Sequence, residues 1–409
     1  MIHPRVLLAN EAGAGRGHLL KLAAVARALG PGPEIVAAIA DLRHAAALGG
    51  VAARVLAAPP LRYTRAARED PTLEGNATWG DYLAGIGLVR ADVVRRGLAW
   101  WRKAIVDEDA SLLVADYAPL AILAAQGLKA DGWRIEIVAV GTGYGTPPAT
   151  LARFPRLLPD FARSLHSEEA ILSVVNRVAG ETGLDPLPRL PAIGAADLTL
   201  PMTLPFLDPY AGGRAAGELL APLVDMPGPT LPPAGDELFV YAAAGELKAG
   251  GLVDALSALP MRRRGFLPGV SPETAARLVA SGMVLEPAPL AAEVIARRTR
   301  LWLHAAQHGS LCTAAVWGIP QVAIPQQLEQ LCHGRRMEAA GGLHLLPLRE
   351  STPEAIRAAV LTAWSDGALA RQARDLSRAL RAAQPARPMD QLAERLAPVL
   401  ARIHADPSR

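Results

Sequence analysis

The sequence predicts an α/β protein built from two doubly wound domains, each with a parallel sheet covered by helices. Its 409 residues exceed the usual size of one domain, and each half is long enough to bury its own core. Short apolar strands alternate with longer amphipathic helices, which is typical of parallel sheets. The segment 222–235 is rich in proline and glycine, so it predicts a linker between the two domains.

The N-terminal domain is predicted over residues 1–221. Its predicted elements, in chain order, are the strand Arg5–Ala9, the helix Leu19–Leu29, the strand Glu34–Ala40, the helical region Asp81–Asp107, and the strands Leu112–Ala115 and Ile135–Val140. The helical region carries Trp100, Trp101 and several basic residues. This composition fits either packing of the tryptophans into the domain, which we favour, or peripheral contact with a membrane that carries a lipid acceptor.

The C-terminal domain is predicted over residues 236–386, followed by a last helix within 387–409. Its predicted elements are Glu237–Ala242, Leu252–Leu259, Ala275–Ser281, Met283–Leu285, Leu301–His304, Leu311–Trp317, Pro320–Pro325, Pro353–Ser365, Ala368–Ala383 and Asp390–His404. The run Arg262-Arg263-Arg264 is interpreted as a solvated loop, with contact to a phosphate or a membrane as the less favoured alternative. Ser351-Thr352-Pro353-Glu354 predicts a capped helix start with proline in the first turn.

Composition argues against several classes of protein. The formal net charge is only +3 and basic residues are dispersed among acids, so the basic surface of a nucleic-acid-binding protein is not expected. Cys312 and Cys332 are too few for a disulfide framework, and their spacing from His308 and His333 is not typical of zinc sites. The N-terminal apolar run is too short for a signal peptide and no stretch predicts a membrane span, so we expect a cytoplasmic protein.

The segment Leu301–Gly341 carries the clearest functional signal. An uncharged strand leads into Gly309-Ser310 at a helix start, where free backbone N–H groups and the positive helix end favour an anion such as a diphosphate. After Gly318-Ile319-Pro320, a second strand precedes Glu329-Gln330, whose carboxylate and amide are expected at the same sheet edge. A hydroxyl-rich ligand attached to a phosphate fits this combination.

This arrangement resembles the donor signature of inverting glycosyltransferases of the GT-B fold, which include UDP-glucuronosyltransferases and macrolide glycosyltransferases. The family motif reads H-G-G-x-G-[ST]-x-x-E, then G-[VI]-P, then P-x-x-x-[DE]-Q. Four parts of the chain fall at the family's spacing: Gly309-Ser310, Gly318-Ile319-Pro320, Pro325 and Glu329-Gln330. Ala305 replaces the diphosphate-binding His, and Thr313 replaces the acid that holds the ribose. The resemblance implies two Rossmann-like domains facing a cleft, with a terminal helix that crosses back to the first domain.

The resemblance also implies a nucleoside diphosphate sugar as donor, bound by the C-terminal domain without a cofactor or metal. The expected donor-binding residues are His304, His308, Gly309, Ser310, Thr313, Glu329 and Gln330. A neutral Thr313 keeps a single hydroxyl for the ribose, so weak discrimination between UDP and dTDP donors is expected.

The loop after the first strand, residues 13–18, supplies the candidate general base. The family has a Gly-His pair at this place, whose His takes the proton of the acceptor hydroxyl, and Gly17-His18 matches it. The resemblance places the family's orienting carboxylate at Asp116, which would fix the imidazole tautomer. The structural alternatives are a helix-capping or buried His18, and an Asp116 that caps the helix opening at Pro119. Gly143 and Tyr144 follow another strand and are expected in a wall of the acceptor pocket or in an ordinary turn.

Two other functions are compatible with parts of the sequence. A NAD-dependent oxidoreductase would use Gly13, Gly15 and Asp41, but His18 stands where the third glycine of that motif is needed. A non-catalytic GT-B protein that binds nucleotide sugars or a partner would explain the replacements at Ala305 and Thr313. The sequence predicts the reaction type without identifying the acceptor, a small molecule or a lipid, or the oligomeric state.

Overall fold

The computed structural model describes residues 4–13, 15–62, 74–75, 77–158, 163–228, 230–248, 251–347, 351–383 and 387–405. The chain divides into two compact units, the first formed by Met1–Leu223 with Pro388–Arg409 and the second by Val224–Arg387. Each unit contains a six-stranded parallel sheet. The predicted α/β fold with two doubly wound sheets is thereby confirmed.

The first unit is organised around a sheet with strand order β3-β2-β1-β5-β6-β8. Its strands are β1 (Arg5–Asn10), β2 (Glu34–Ile39), β3 (Arg54–Ala57), β5 (Leu112–Ala115), β6 (Glu136–Gly141) and β8 (Leu198–Pro201), with a separate pair of β4 (Glu74–Gly75) and β7 (Arg163–Ser164). Its helices are α1 (Gly17–Ala28), α2 (Trp79–Leu83), α3 (Ala91–Asp107), α4 (Pro119–Ala130), α5 (Glu168–Gly180) and α14 (Pro388–His404).

The core of the first unit explains why its strands are uniformly apolar. In β1 every residue from Val6 to Asn10 is buried, because helices cover both faces of the sheet. Leu392, Leu396 and Val399 of α14 belong to the same hydrophobic cluster as residues of α1 and the sheet. Their spacing of four and three residues puts them on one face of the helix.

The second unit repeats the architecture with strand order β11-β10-β9-β12-β13-β14. Its strands are β9 (Glu237–Tyr241), β10 (Arg262–Phe266), β11 (Met283–Leu285), β12 (Thr299–His304), β13 (Gln321–Ala323) and β14 (Leu343–Leu345). Its helices are α6 (Ala244–Leu247), α7 (Leu252–Ala258), α8 (Pro272–Ala280), α9 (Ala292–Arg298), α10 (His308–Trp317), α11 (Leu328–Ala340), α12 (Pro353–Ser365) and α13 (Gly367–Ala383). As predicted, α12 has a proline in its first turn, and the Thr352 hydroxyl accepts the N–H of Ala355.

The interpretation of Arg262-Arg263-Arg264 as a solvated loop is wrong, because these residues form β10. Arg263 is buried. Arg264 pairs with Glu237 on the neighbouring strand at 2.7 Å and with Glu286. Each guanidinium has partners that the sequence pattern alone does not reveal, so an arginine run can occupy a strand.

The helix α3 packs into its unit through Trp101, which has no exposed surface, and the Trp100 ring lies edge-on to it. Its basic side chains are ion-paired within the unit, for example Arg95 with Glu181 at 2.6 Å. These contacts favour the packing interpretation over membrane contact. In the described parts of the chain, no helix is long and apolar enough to cross a bilayer.

Candidate active site

The loop after β1 brings His18 to the carboxyl edge of the first sheet. β1 ends at Asn10 and α1 begins at Gly17, so His18 lies in the first turn of α1. Its Nδ1 is 3.1 Å from Oδ2 of Asp116, which directly follows β5 at the same edge. The His18 side chain is 13% exposed and that of Asp116 is fully buried. The two residues paired by the family resemblance are therefore in contact.

A third side chain joins this pair. Nζ of Lys21, three residues after His18 on α1, also lies 3.1 Å from Oδ2 of Asp116. Burial alone would raise the pKa of Asp116, but the charges of Lys21 and His18 and their hydrogen bonds outweigh it, and the pKa lies below its usual value. Asp116 is therefore ionised near neutral pH. The alternative role as a cap of α4 is not seen, because its side-chain hydrogen bonds in the described chain go to His18 and Lys21.

Gly13 packs against the imidazole of His18. It has a φ of +90°, and a Cβ built on it would lie 2.3 Å from Nε2 of His18. Gly15 also has a positive φ, +88°, but a Cβ there would meet no described atom within 4 Å; Ala14 lies outside the described residues. The ring of Tyr117 lies 4.6 Å from that of His18, on a residue whose φ is +51°. A glycine is therefore needed at position 13 to make room for the imidazole of His18.

Asp41, the acid of the oxidoreductase alternative, is engaged elsewhere. It caps the short helix Leu42–Leu48, and its two carboxylate oxygens accept hydrogen bonds from the Arg43 side chain at 2.9 and 2.7 Å. The hydrogen bond from Arg43 lowers the pKa of Asp41 to about 2. Contacts within the protein, with Arg43 and His18 respectively, therefore explain Asp41 and Gly13 without a bound dinucleotide.

Glu11, which the sequence analysis did not single out, links the two loops that carry His18 and Asp116. Its buried carboxylate accepts hydrogen bonds from the backbone N–H of Leu120, at 2.8 Å in the first turn of α4, and from the indole N–H of Trp101. Burial raises the pKa of Glu11 to about 8 despite these hydrogen bonds. An acid directly after a buried strand was the only sequence signal for this role.

The loop that carries Gly143 is held by Arg214 and is not an ordinary flexible turn. Arg214 Nε lies 2.7 Å from Oδ2 of Asp208, and both side chains are buried. The same guanidinium donates to the backbone carbonyls of Gly143 at 3.1 Å and Thr146 at 2.8 Å. This buried ion pair fixes the loop at the end of β6.

Four aromatic side chains form a cluster that reaches His18: Trp79, Tyr82, Tyr117 and Tyr144. Trp79 lies edge-on to Tyr117 at 5.2 Å and to Tyr144 at 5.3 Å. Tyr144 is 1% exposed, so its ring packs within the cluster. Its place in an acceptor-pocket wall stays a prediction.

In the second unit, the predicted anion site falls at the N-terminus of α10. The helix begins at His308, three residues before its predicted start, with Gln307 as N-cap. The first backbone N–H bonded inside the helix is that of Leu311, which donates to the Gln307 carbonyl at 3.0 Å. Gly309 is exposed, and a Cβ built on it would meet no described atom within 4 Å. There is therefore open space beside Gly309 in the first turn of α10, where backbone N–H groups have no acceptor within the helix.

The loop before α10 departs from the family motif at two further positions. Ala306 and Gln307 stand where the motif has two glycines, in addition to Ala305 and Thr313. Ala306 has a φ of +59°, a region that favours glycine. The Ala305 side chain is buried and Thr313 is half-buried on α10.

His304 occupies a structural position, which argues against its predicted contact with the donor. It is 3% exposed at the end of β12, its Nε2 lies 2.9 Å from Oε1 of Gln321, and its Nδ1 accepts the N–H of Ala306 at 2.9 Å. Burial lowers the pKa of His304 to about 4, although the Gln321 hydrogen bond opposes this. A neutral imidazole with both nitrogens engaged serves to shape the loop.

Glu246, also missed from the sequence, joins three loops at the carboxyl edge of the second sheet. Its carboxylate accepts hydrogen bonds from the Ala243 N–H at 2.7 Å, from Nε2 of Gln307 at 2.7 and 2.6 Å, and from Nε2 of Gln330 at 3.0 Å. Oε1 of Gln330 accepts the backbone N–H of Gln326 at 2.8 Å. The side-chain amide of Gln330, which is predicted to bind the sugar, therefore already makes hydrogen bonds within the protein. The motif that contains Gln330 does not reveal that Glu246 is its partner.

Glu329 and His308 are the remaining residues predicted to bind the donor. Glu329 is half-buried in the first turn of α11. The His308 ring lies 5.2 Å from that of His333, and its Nε2 is 3.6 Å from Sγ of Cys312. Within the described residues, no three His, Cys, Asp or Glu side chains are grouped to hold a metal ion.

Residues 279–396 match the erythromycin biosynthesis protein CIII-like C-terminal domain, a stretch that contains the α10 and α11 loops. No curated protein matches the sequence significantly.

Solved structures are similar over nearly the whole chain. The spinosyn rhamnosyltransferase SpnG complexed with thymidine diphosphate is 20% identical, with a TM-score of 0.65, and the match covers 98% of this chain and 100% of that one. The calicheamicin glycosyltransferase CalG4 is 19% identical with a TM-score of 0.63, covering 98% and 100%. The glycosyltransferase VinC in complex with dTDP is 14% identical with a TM-score of 0.58, covering 97% and 100%. The chain has the GT-B fold of these enzymes, and the family match supports a glycosyltransferase.

Proposed function

We propose that the protein moves a sugar from a nucleoside diphosphate sugar to an acceptor hydroxyl with inversion at the anomeric carbon. The observation that carries this proposal is the 3.1 Å contact between His18 Nδ1 and the buried Asp116 carboxylate. With Nδ1–H directed at Asp116, the imidazole keeps its lone pair at Nε2. Nε2 accepts the hydroxyl proton as the acceptor oxygen attacks the anomeric carbon and the bond to the diphosphate breaks. Asp116 stabilises the imidazolium that forms.

The donor diphosphate is assigned to the N-terminus of α10. The N–H groups of Gly309 and Ser310 and the positive helix end would stabilise the charge that develops on the leaving oxygen, without a required metal. Glu329 would accept hydrogen bonds from sugar hydroxyls. Gln330 donates one amide hydrogen to Glu246, so one remains for the sugar.

Both UDP and dTDP sugars are proposed as donors. Thr313 offers one hydroxyl where relatives hold the ribose with an acid, and affinities for the two nucleotides within about tenfold, about 1.4 kcal/mol, are expected. SpnG is described with thymidine diphosphate and with the spinosyn aglycone, and VinC with dTDP. A small hydroxyl-bearing molecule is accordingly proposed as the acceptor.

A non-catalytic nucleotide-sugar-binding protein is the second candidate. The observation that favours it is the replacement of two donor residues of the family motif, by Ala305, whose side chain is buried, and by Thr313. Such a protein would bind a donor without transferring the sugar.

Substitution of His18 separates the two candidates. His18→Ala should lower kcat roughly 10²–10⁴-fold, the usual contribution of a general base, with little change in the Kd of UDP-glucose or dTDP-glucose. Asp116→Asn should act in the same direction, less severely. His344→Ala, at an exposed position on β14, is the control. Release of nucleoside diphosphate with a panel of phenolic and alcoholic acceptors is the measurement.

Equal turnover by wild type and His18→Ala would show that His18 is not the general base. Donor binding without turnover by the wild type would favour the second candidate.

A further inference from the structure

In the loop before α10, Gln307 and Ala305 both depart from the family motif and are joined by a hydrogen bond. Gln307 stands where the motif has a glycine, and its side-chain amide contacts both carboxylate oxygens of Glu246. Its Oε1 accepts the N–H of Ala305, which replaces the diphosphate-binding His. A glycine at position 307 could make neither contact. Gln307 thus connects Glu246 to the loop that starts α10.

The carboxylate of Glu246 has neutral partners. Its hydrogen-bond donors are a backbone N–H and two glutamine amides, and none of the ion pairs among the described residues includes it. Desolvation raises the pKa of Glu246, although the hydrogen bonds from Ala243, Gln330 and Gln307 oppose this. Among the described residues, no ion pair therefore offsets its negative charge, and the carboxylate is hydrogen-bonded to Gln307, the N-cap of a helix whose first-turn N–H groups attract anions.

We infer that Glu246 lowers the affinity of the donor site, because its carboxylate competes with the donor diphosphate for the N-terminus of α10. This inference rests on the proposed function, since it assumes that the diphosphate binds at α10. An ionised Glu246 repels a diphosphate bound at the start of α10, whereas a protonated Glu246 does not. Donor affinity is then higher at low pH and falls as the carboxyl group ionises.

Other titratable groups lie on the elements that contact Glu246, and the experiment must separate them. His304 on β12 stays neutral throughout the working range because the pKa of its imidazole is about 4. His308 is the first residue of α10, and Glu329 and His333 lie on α11. Protonation of His308 at the helix start would also favour an anion at low pH, so His308→Asn is the matched control.

Isothermal titration calorimetry with UDP-glucose and dTDP-glucose tests the inference. These donors are used because their diphosphate carries no terminal phosphate that titrates near pH 6. Wild-type affinity should fall about tenfold from the lower to the higher end of a pH series over which the protein stays folded, within the usual range of coupling between sites. Glu246→Gln and the smaller Glu246→Ser should bind about tenfold more tightly than wild type at the higher pH and show no slope. His308→Asn should keep the wild-type slope.

The outcomes separate the inference from the proposed function. Weaker binding by both Glu246 variants at the higher pH would show that the carboxylate supports the site, and would overturn the inference. If His308→Asn lost the pH dependence of donor affinity, the imidazole of His308 would be its cause. This result would also overturn the inference. Donor binding with the predicted slopes but without sugar transfer would support the inference and refute the proposed function. Absence of binding at every pH would refute both.

Discussion

At the scale of the residue, the chemistry of the first unit depends on how one buried carboxylate is shared. Oδ2 of Asp116 contacts both His18 and Lys21 at 3.1 Å, while Oδ1 is buried without a hydrogen-bond partner among the described residues. The family resemblance predicts the contact of Asp116 with His18 but not its contact with Lys21. Lys21 is 11% exposed, so its charge is only partly screened by water. The positive charge of Lys21 helps to hold the pKa of Asp116 below its usual value.

Replacement of Lys21 is expected to change the pH dependence of catalysis. In Lys21→Met, loss of the Lys21 charge should raise the pKa of Asp116, so that at low pH Asp116 becomes protonated and no longer orients His18. The acidic limb of the kcat/KM profile should then move upward by about one pH unit, as is usual for charges this close. Activity at about pH 6.5 should fall, and activity at about pH 8.5 should not. Lys21→Arg keeps the charge and should keep the wild-type profile, whereas a Lys21→Met profile that coincides with wild type would contradict this role.

At the scale of the element, the loop between β1 and α1 shows what the sequence could and could not predict. The predicted strand Arg5–Ala9 agrees with β1 to one residue, because uniformly apolar residues can only be buried by helices on both faces. The glycines of the loop had two interpretations that spacing alone could not separate. The structure distinguishes Gly13, which packs on His18, from Gly15, which faces open space.

This difference gives a matched pair of substitutions. Gly13→Ala should place a Cβ within 2.3 Å of His18 Nε2 and displace the imidazole, lowering kcat on the order of 10²-fold. Gly15→Ala meets the same positive φ without a neighbour, so it should cost about 1–3 kcal/mol of stability and leave kcat within a few-fold of wild type. Thermal melts and kcat for both proteins are the measurements. An equal loss of kcat in the two variants would mean that loop strain, and not contact with His18, controls the rate.

At the scale of the whole molecule, the fold was predictable because it depends on many similar residues, whereas the site depends on a few distant pairs. Strand periodicity and the proline-rich segment 222–235 indicated two α/β units. Glu11 contacts Leu120, and Glu246 contacts Gln330. Neither acid lies in a motif, and each partner is 80 or more residues away in the sequence. Such contacts follow from strand order, which brings distant loops to one sheet edge. For the same reason, the motif located Gly309-Ser310 but not the carboxylate beside it.

The configuration of the transferred sugar tests the central claim most directly. Wild-type protein is incubated with a UDP or dTDP α-sugar and the acceptors that support turnover, and the anomeric configuration of the glycoside is read by proton NMR. Single displacement by a hydroxyl deprotonated at His18 predicts a β-glycoside that His18→Ala does not form. An α-glycoside, or a β-glycoside formed equally well by His18→Ala, would contradict the account.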